Sequence, residues 1–216
     1  MASLINKFKE KFSFNRKEHW EKVYAKKSPS EVSWYQIHPG ISLELIRLTE
    51  IAQSDKIIDV GAGASVLVDK LLETGHTDIS VLDISSKAID HAKDRLGDRS
   101  GKVTWIVTDI TEFEPSHQYN LWHDRAVFHF FTDENDRHKY IEVLKKTLKS
   151  GGHLILSAFF LEGPPKCSGL NVERYDIEKM QKELGSDFEF ISSKRESHVT
   201  PWQAKQEFIY GYFKKK

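Results

Sequence analysis

The ten residues Lys56-Ile57-Ile58-Asp59-Val60-Gly61-Ala62-Gly63-Ala64-Ser65 constrain the fold more than any other stretch of the chain. An apolar run passes into a turn with two glycines and then into residues that start a helix. This is the opening strand–turn–helix step of an open parallel sheet. Glycine in such a turn lets the backbone come close to a ligand. The next apolar run ends at Asp83, twenty residues after Gly63. An acidic side chain at that place holds the hydroxyls of a ribose. Together the two features describe a site for an adenosine-containing cofactor.

The alternation continues downstream. Apolar runs predict strands at 56–60, 79–82, 102–108, 119–123 and 153–160, and helical spacing predicts helices at 64–74, 85–96, 134–149 and 175–184. Ser85 is an expected N-cap, and Gly151-Gly152 an expected stop. Apolar strands alternating with helices imply a parallel sheet covered on both faces. Residues 188–197 and 206–214 read as two further strands, and the Thr200-Pro201-Trp202 connection is too short for a helix, so this pair is antiparallel. The expected fold is α/β: a Rossmann-like, doubly wound sheet of seven strands, mostly parallel, closed by a C-terminal antiparallel hairpin. Residues 1–18 read as a flexible leader and 19–216 as one domain. Within it, 19–50 form N-terminal lid helices; the first, His19 to Lys26, carries Trp20 and Tyr24 on one face.

Charge narrows the partners. Lys+Arg and Asp+Glu both number 32, so no global field draws the chain to nucleic acid or an anionic membrane. The basic residues near the ends (Lys7, Lys9, Lys11, Arg16, Lys17 and Lys214 to Lys216) read as solvated tails. Cys167 is the one cysteine, so no intrachain disulfide forms; a reducing, cytoplasmic setting is expected. No apolar run reaches the roughly 20 residues of a membrane span, and the N-terminus lacks a secretory apolar core. No His/Cys/Asp cluster has metal-ligand spacing, so no metal is expected.

Three cofactors compete for the turn. A P-loop ends in Gly-Lys-Ser/Thr, whereas this turn ends Ala64-Ser65-Val66. A nicotinamide site needs a third glycine for close helix–strand packing, where Val66 stands. S-adenosylmethionine carries no pyrophosphate and needs no full phosphate cradle. It carries an ammonium, which Asp59, just before the glycines, is placed to meet unless it orients the loop instead.

On these residues the chain resembles the class I S-adenosylmethionine-dependent methyltransferases over roughly residues 18–213. Asp59-Val60-Gly61-Ala62-Gly63 matches that family's first motif, with Ser65 where a third glycine is frequent. The resemblance implies that Asp83 holds the ribose hydroxyls, Ile84 packs beside adenine, Asp109 accepts from the adenine amine and Ile110 donates its amide to a ring nitrogen. Upstream, Trp20-Glu21-Lys22-Val23-Tyr24 and Val32-Ser33-Trp34-Tyr35 resemble the N-terminal segment of small protein-lysine methyltransferases that act on elongation factor and citrate synthase, which implies that Trp20, Tyr24 and Trp34 contact the cofactor.

The acceptor side lies beyond the fourth strand, at Leu121-Trp122-His123-Asp124-Arg125-Ala126-Val127-Phe128-His129. The lysine-methyltransferase branch has an acidic–lysine pair where Asp124-Arg125 stands. This puts Asp124 with the candidate catalytic residues and Arg125 with the cofactor contacts. His123 and His129 are candidate general bases, because histidine titrates near neutral pH. Residues 162–170 are Pro/Gly-rich and aperiodic, as in a substrate-covering loop; His198 and Trp202 flank the terminal turn and are expected to face the same cleft. Cys167 reads as a bland loop thiol. The expected activity is methyl transfer to a nitrogen, oxygen or sulfur nucleophile, of a small molecule or, alternatively, a protein lysine. A silent cofactor-binding protein is the rival from another class, and the intact acidic strand ends argue against it.

Overall fold

The computed structural model describes residues 14–216. The leader expected over 1–18 lies outside the described residues up to residue 13, and with it Lys7, Lys9 and Lys11. Helix α1 runs Arg16–Lys26, beginning three residues before the expected His19, because Asn15 caps it by accepting from the amide of Glu18. Helix α2 follows at Gly40–Leu48.

Seven strands then make one sheet: β1 (Ile57–Val60), β2 (Ile79–Asp83), β3 (Val103–Val107), β4 (Tyr119–Arg125), β5 (Leu148–Phe159), β8 (Phe188–Val199) and β9 (Lys205–Lys215). Their order is β3-β2-β1-β4-β5-β9-β8. The first five are parallel; β9 lies antiparallel to β5 and β8 antiparallel to β9, as the sequence predicts. Helices α3 (Leu67–Glu73), α4 (Ser86–Leu96), α5 (Glu134–Thr147) and α6 (Ile177–Leu184) connect the strands. Every residue of β1 and β2 is buried, the mark of strands covered on both faces. Successive residues serve opposite cores. Ile58, Trp122 and Leu154 pack with Tyr140, Leu144 and Met180, while Ile57, Leu121 and Ile155 pack with Leu45, Leu67 and Leu71.

Three expectations change. Gly151-Gly152 is not a stop: α5 ends at Thr147, β5 begins at Leu148, and the glycines lie inside the strand. Tyr119 pairs with Leu148 but Leu121 with His153, so the extra residues bulge, and Gly151 takes φ +74° to make the bend. The aperiodic loop holds a small antiparallel pair, β6 (Lys166–Cys167) and β7 (Leu170–Asn171). Nor are the basic end residues all solvated. Arg16 pairs with Asp136 at 2.7 Å and with Asp109 at 3.4 Å, and the Lys215 ammonium donates to the carbonyls of Lys145 and Leu148 at the end of α5.

The carboxyl ends of β1, β2, β3 and β4 therefore open on one side of the sheet. There α1 lies across them.

Candidate functional site

The turn after β1 comes first. Gly61 has φ +58°, and a Cβ built on it would sit 1.9 Å from Val127 Cγ2. Only glycine fits, for backbone conformation and for space. A Cβ on Gly63 would meet Tyr24 Oη at 2.3 Å, so Tyr24 rests on the second glycine.

At the ends of the next two strands stand carboxylates. Asp83 Oδ1 accepts from the amide of Ser85, and Ser85 in turn caps α4 by accepting from the amide of Ala88. Asp83 is 5% exposed, and burial pushes its carboxyl up to about 7 against the amides of Ser85 and Gly63, which favour the ionised form. Asp109 caps the short turn Ile110–Glu112: its Oδ1 accepts from the amide and hydroxyl of Thr111, while Oδ2 faces Arg16.

Between these groups lies a cavity of about 730 Å³ of empty space, open to solvent on one side. Trp20, Tyr24, Trp34, Gly61, Asp83, Ile84, Asp109, Ile110 and Arg125 all line it, joined by Val127, Phe130 and Cys167. Of the residues expected to contact the cofactor, Asp59 and Gly63 do not. Asp59 borders a second cavity behind the glycine turn, and Gly63 is covered by Tyr24.

The cover over the main cavity is aromatic. Trp20 packs edge-on against Phe130 and Trp34, with ring centroids 5.0 and 5.7 Å apart, and Tyr24 lies 6.4 Å from both indoles. Two polar anchors hold it down: Glu21, which sequence reasoning missed, and Arg125, which it placed at the cofactor. The Glu21 carboxylate accepts from Ser85 Oγ, from the amide and hydroxyl of Ser86, and from the amide of Lys87. It thus sits on the positive N-terminal end of α4. Glu21 stands within the quoted Trp20–Tyr24 segment, and only its place one residue after Trp20 hinted at a role. Arg125 donates from Nη1 to the carbonyl of Trp34 at 2.9 Å and from Nε to the hydroxyl of Tyr210 at 2.7 Å, and stacks over Phe208. Its guanidinium is a strut between β4 and the cover.

The three candidate catalytic residues take other places, and this corrects the sequence reading. None lines the main cavity. His123 is 3% exposed, with Nδ1 against Asp59 at 2.7 Å and Nε2 against Ser42 Oγ at 2.8 Å. His129 is fully buried; its Nδ1 accepts from the amide of Phe159, so the proton sits on Nε2. Burial pushes it down to about 3, with the Arg125 charge adding to the effect, so it stays neutral at physiological pH. Asp124 accepts from the amides of Val127 and Phe128 and from the Tyr140 hydroxyl, and burial raises its carboxyl to about 6. It clamps the turn where Ala126 takes φ +72°, a strained value for a residue with a Cβ. His198 is buried too and donates to the carbonyl of Ser33, while Trp202 is exposed at the hairpin turn; neither faces the cavity. Cys167 does line it, and burial pushes its thiol up to about 11, leaving it un-ionised.

Two observations test the fit of S-adenosylmethionine: the bare backbone of Gly61 in the cavity wall, and a buried Asp59 Oδ2 without a donor. The first matches a ligand held against backbone, the second a ligand that brings a cationic donor. Among the described residues no three His, Cys, Asp or Glu side chains group as metal ligands, and no helix is long and apolar enough to cross a membrane.

Residues 58–154 match the family model of a methyltransferase domain. The eEF1A lysine and N-terminal methyltransferase of Mus musculus is 28% identical over 127 residues, 57% of this chain and 18% of that protein. Malonyl-[acyl-carrier protein] O-methyltransferase 1 of Ilyobacter polytropus is 31% identical over 104 residues, 48% of this chain and 37% of that protein. The chain thus spans well under half the length of either relative. Among solved structures, one from work on the conversion of a disulfide bond into a thioacetal group in echinomycin biosynthesis superposes with a TM-score of 0.76 at 16% identity, covering 93% of each chain. An N-methyltransferase of Bradyrhizobium japonicum, solved with S-adenosyl-L-homocysteine, gives 0.69 at 17% identity, covering 90% of this chain and 97% of that one. These structures share the fold.

Proposed function

We propose that this chain, a class I S-adenosylmethionine-dependent methyltransferase, binds S-adenosyl-L-methionine beneath its aromatic cover and methylates a small-molecule nucleophile. The observation that carries the reading is the convergence of Gly61, Asp83, Ile84, Asp109 and Ile110 on one cavity roofed by Trp20, Tyr24 and Trp34. In this assignment Asp83 takes the ribose diol. Ile84 flanks adenine, Asp109 accepts from its amine through the oxygen that Thr111 leaves free, and the Ile110 amide donates to a ring nitrogen. Gly61 lets the backbone approach, Gly63 gives Tyr24 its seat, and Asp59 meets the ammonium. The cofactor supplies an electrophilic methyl on a sulfonium.

The chain's own residues then position and dehydrate. An acceptor bound beside that methyl would need a free lone pair aimed at it, which is a matter of positioning. The end of the cavity left for the acceptor is bounded by Arg125, Ala126, Val127, Phe130 and Cys167, with no histidine in the lining. His129 is neutral and bonded to backbone elsewhere. Proximity and exclusion of water supply the rate, and an acceptor that needs no base is favoured: an amine, a thiolate or a carboxylate. A roofed cavity suits a small molecule, and the O-methyltransferase relative acts on a carrier-bound one by its name. The second reading is a protein lysine, favoured by the Trp20, Tyr24 and Trp34 cover and by the mouse relative.

The test is calorimetry with S-adenosylhomocysteine and with NAD, followed by a tritiated-methyl assay on lysate split into protein and small-molecule fractions. The proposal expects S-adenosylhomocysteine to bind, NAD not to bind, and label in the small-molecule fraction. Label in protein would replace the acceptor, binding without label would leave a silent binder, and no binding would end the cofactor assignment.

A further inference from the structure

Behind the glycine turn lies a second cavity, which shares Trp34, Gly61 and Arg125 with the first. Three buried side chains on its wall form a chain of hydrogen bonds. His123 faces Asp59 across the β1–β4 register, with Nδ1 at 2.7 Å from Oδ1, and its Nε2 lies 2.8 Å from the Ser42 hydroxyl of α2. Ser42, Asp59 and His123 are 1%, 2% and 3% exposed.

The directions follow from the groups. A carboxylate only accepts, so Nδ1 carries the proton it offers to Asp59. With that one proton on the ring, Nε2 has a lone pair that the Ser42 hydroxyl can donate into. One atom is left over: Asp59 Oδ2 is buried and has no partner. A buried carboxylate oxygen without a donor is unfavourable in the protein alone, and its residue lines the cavity. The same Ser–His–Asp connectivity activates hydroxyl nucleophiles on other folds, where the open end of the chain is the hydroxyl. Here the open end is the carboxylate.

We propose that Ser42 and His123 are positioning residues that fix Asp59, holding one of its oxygens so that the other meets the aliphatic ammonium of the bound cofactor. Both nitrogens of the His123 ring are engaged, Nδ1 by Asp59 and Nε2 by Ser42, which fixes the ring against the carboxylate. This rests on the cofactor reading proposed above and adds two residues to it.

The test compares two ligands that share an adenosine. S-adenosylhomocysteine carries the amino-acid tail; 5′-methylthioadenosine does not. Ser42→Ala is expected to weaken S-adenosylhomocysteine about 3- to 10-fold, the loss of one buried hydrogen bond. His123→Leu is expected to weaken it more, and His123→Asn, whose amide replaces Nδ1–H, to recover most of the loss. Affinity for 5′-methylthioadenosine is expected to stay within about twofold in all three, since no bond to the adenosine is removed. Nitrogen-15 shifts of His123 supply a readout that needs no ligand: a pure Nδ1–H tautomer in the wild type and a mixture in Ser42→Ala. Equal losses for both ligands would make the chain merely structural, and S-adenosylhomocysteine binding that survives all three substitutions would overturn the positioning role alone. A wild type that shows the tautomer but binds neither ligand would overturn the cofactor reading, and the positioning role with it.

Discussion

At the ends of β2 and β3 the acidic side chains take their hydrogen bonds from neighbours close by in the chain, Asp83 from the amide of Ser85 and Asp109 from that of Thr111, and only the second oxygen of Asp109 reaches a distant partner, Arg16. In the cover every anchor spans the molecule. Glu21 reaches Ser86 across 65 positions, Arg125 reaches Trp34 across 91, Arg16 reaches Asp136 across 120 and His198 reaches Ser33 across 165. The floor of the cavity is thus set by local backbone, while its roof forms only when distant segments meet. Local contacts survive partial opening, whereas a roof held by a few side-chain bonds opens first. The floor is therefore expected to govern whether the cofactor binds, and the roof how tightly it is kept.

The sharpest way to break this division is Gly61→Arg. The new side chain would be forced into a left-handed backbone and onto Val127. Calorimetry is expected to find no S-adenosylhomocysteine binding, with some fall in melting temperature; retained affinity would take the turn out of the site.

Asp83→Asn comes next. Loss of a charge-assisted pair of hydrogen bonds is expected to weaken binding by about 1–3 kcal/mol. Acidity sharpens the test. With its carboxyl pushed up to about 7, folded Asp83 keeps a proton that the unfolded chain has released, so it lowers stability progressively as pH rises from about 4 to about 7. Cofactor affinity runs the other way and rises through about 7 as the carboxylate forms. Asp83→Asn is expected to flatten both trends, and an unchanged pH dependence in the variant would assign them to another group.

A smaller effect is expected from the roof. Glu21→Gln removes the charge from the N-terminal end of α4, a loss of about 1 kcal/mol. It is expected to speed cofactor release more than it slows association, measured by stopped-flow fluorescence of Trp20 and Trp34. An equal effect on both rates would place Glu21 in the floor. The smallest effect is expected at His129. His129→Leu leaves turnover and its pH profile through 6.5 unchanged, because the ring is already neutral and bonded to backbone. A titration near 6.5 lost in that variant would restore the histidine as a base.

The same division explains what was legible in the sequence. The floor is written in short range: the apolar run, the glycine turn and the acidic strand ends carry their own local geometry, and Gly61 and Asp83, placed by spacing, line one cavity with Ile84, Asp109 and Ile110, placed by the resemblance. The alternation of strands and helices, and the brevity of the 200–204 connection, were enough for the sheet and its hairpin. The roof is legible only as a set of aromatics, since Trp20, Tyr24 and Trp34 carry no sign of what holds them. Arg16 read as a tail residue because its partner is 120 positions away. His123 and His129 read as bases because sequence shows residue type and not burial; both are buried, and neither lines the main cavity. Gly151-Gly152 read as a stop, because a bulge and a helix end call for the same residue.

The adenosine site proposed for this chain is the floor formed by Gly61, Asp83, Ile84, Asp109 and Ile110. A crystal structure of the chain with S-adenosylhomocysteine tests it most directly. The ribose diol is expected on the Asp83 carboxylate, adenine between Ile84 and Ile110 with its amine toward Asp109, and the aromatic cover of Trp20, Tyr24 and Trp34 closed above. A ligand bound away from Asp83, or an adenine that leaves Ile84 and Ile110 untouched, would contradict it.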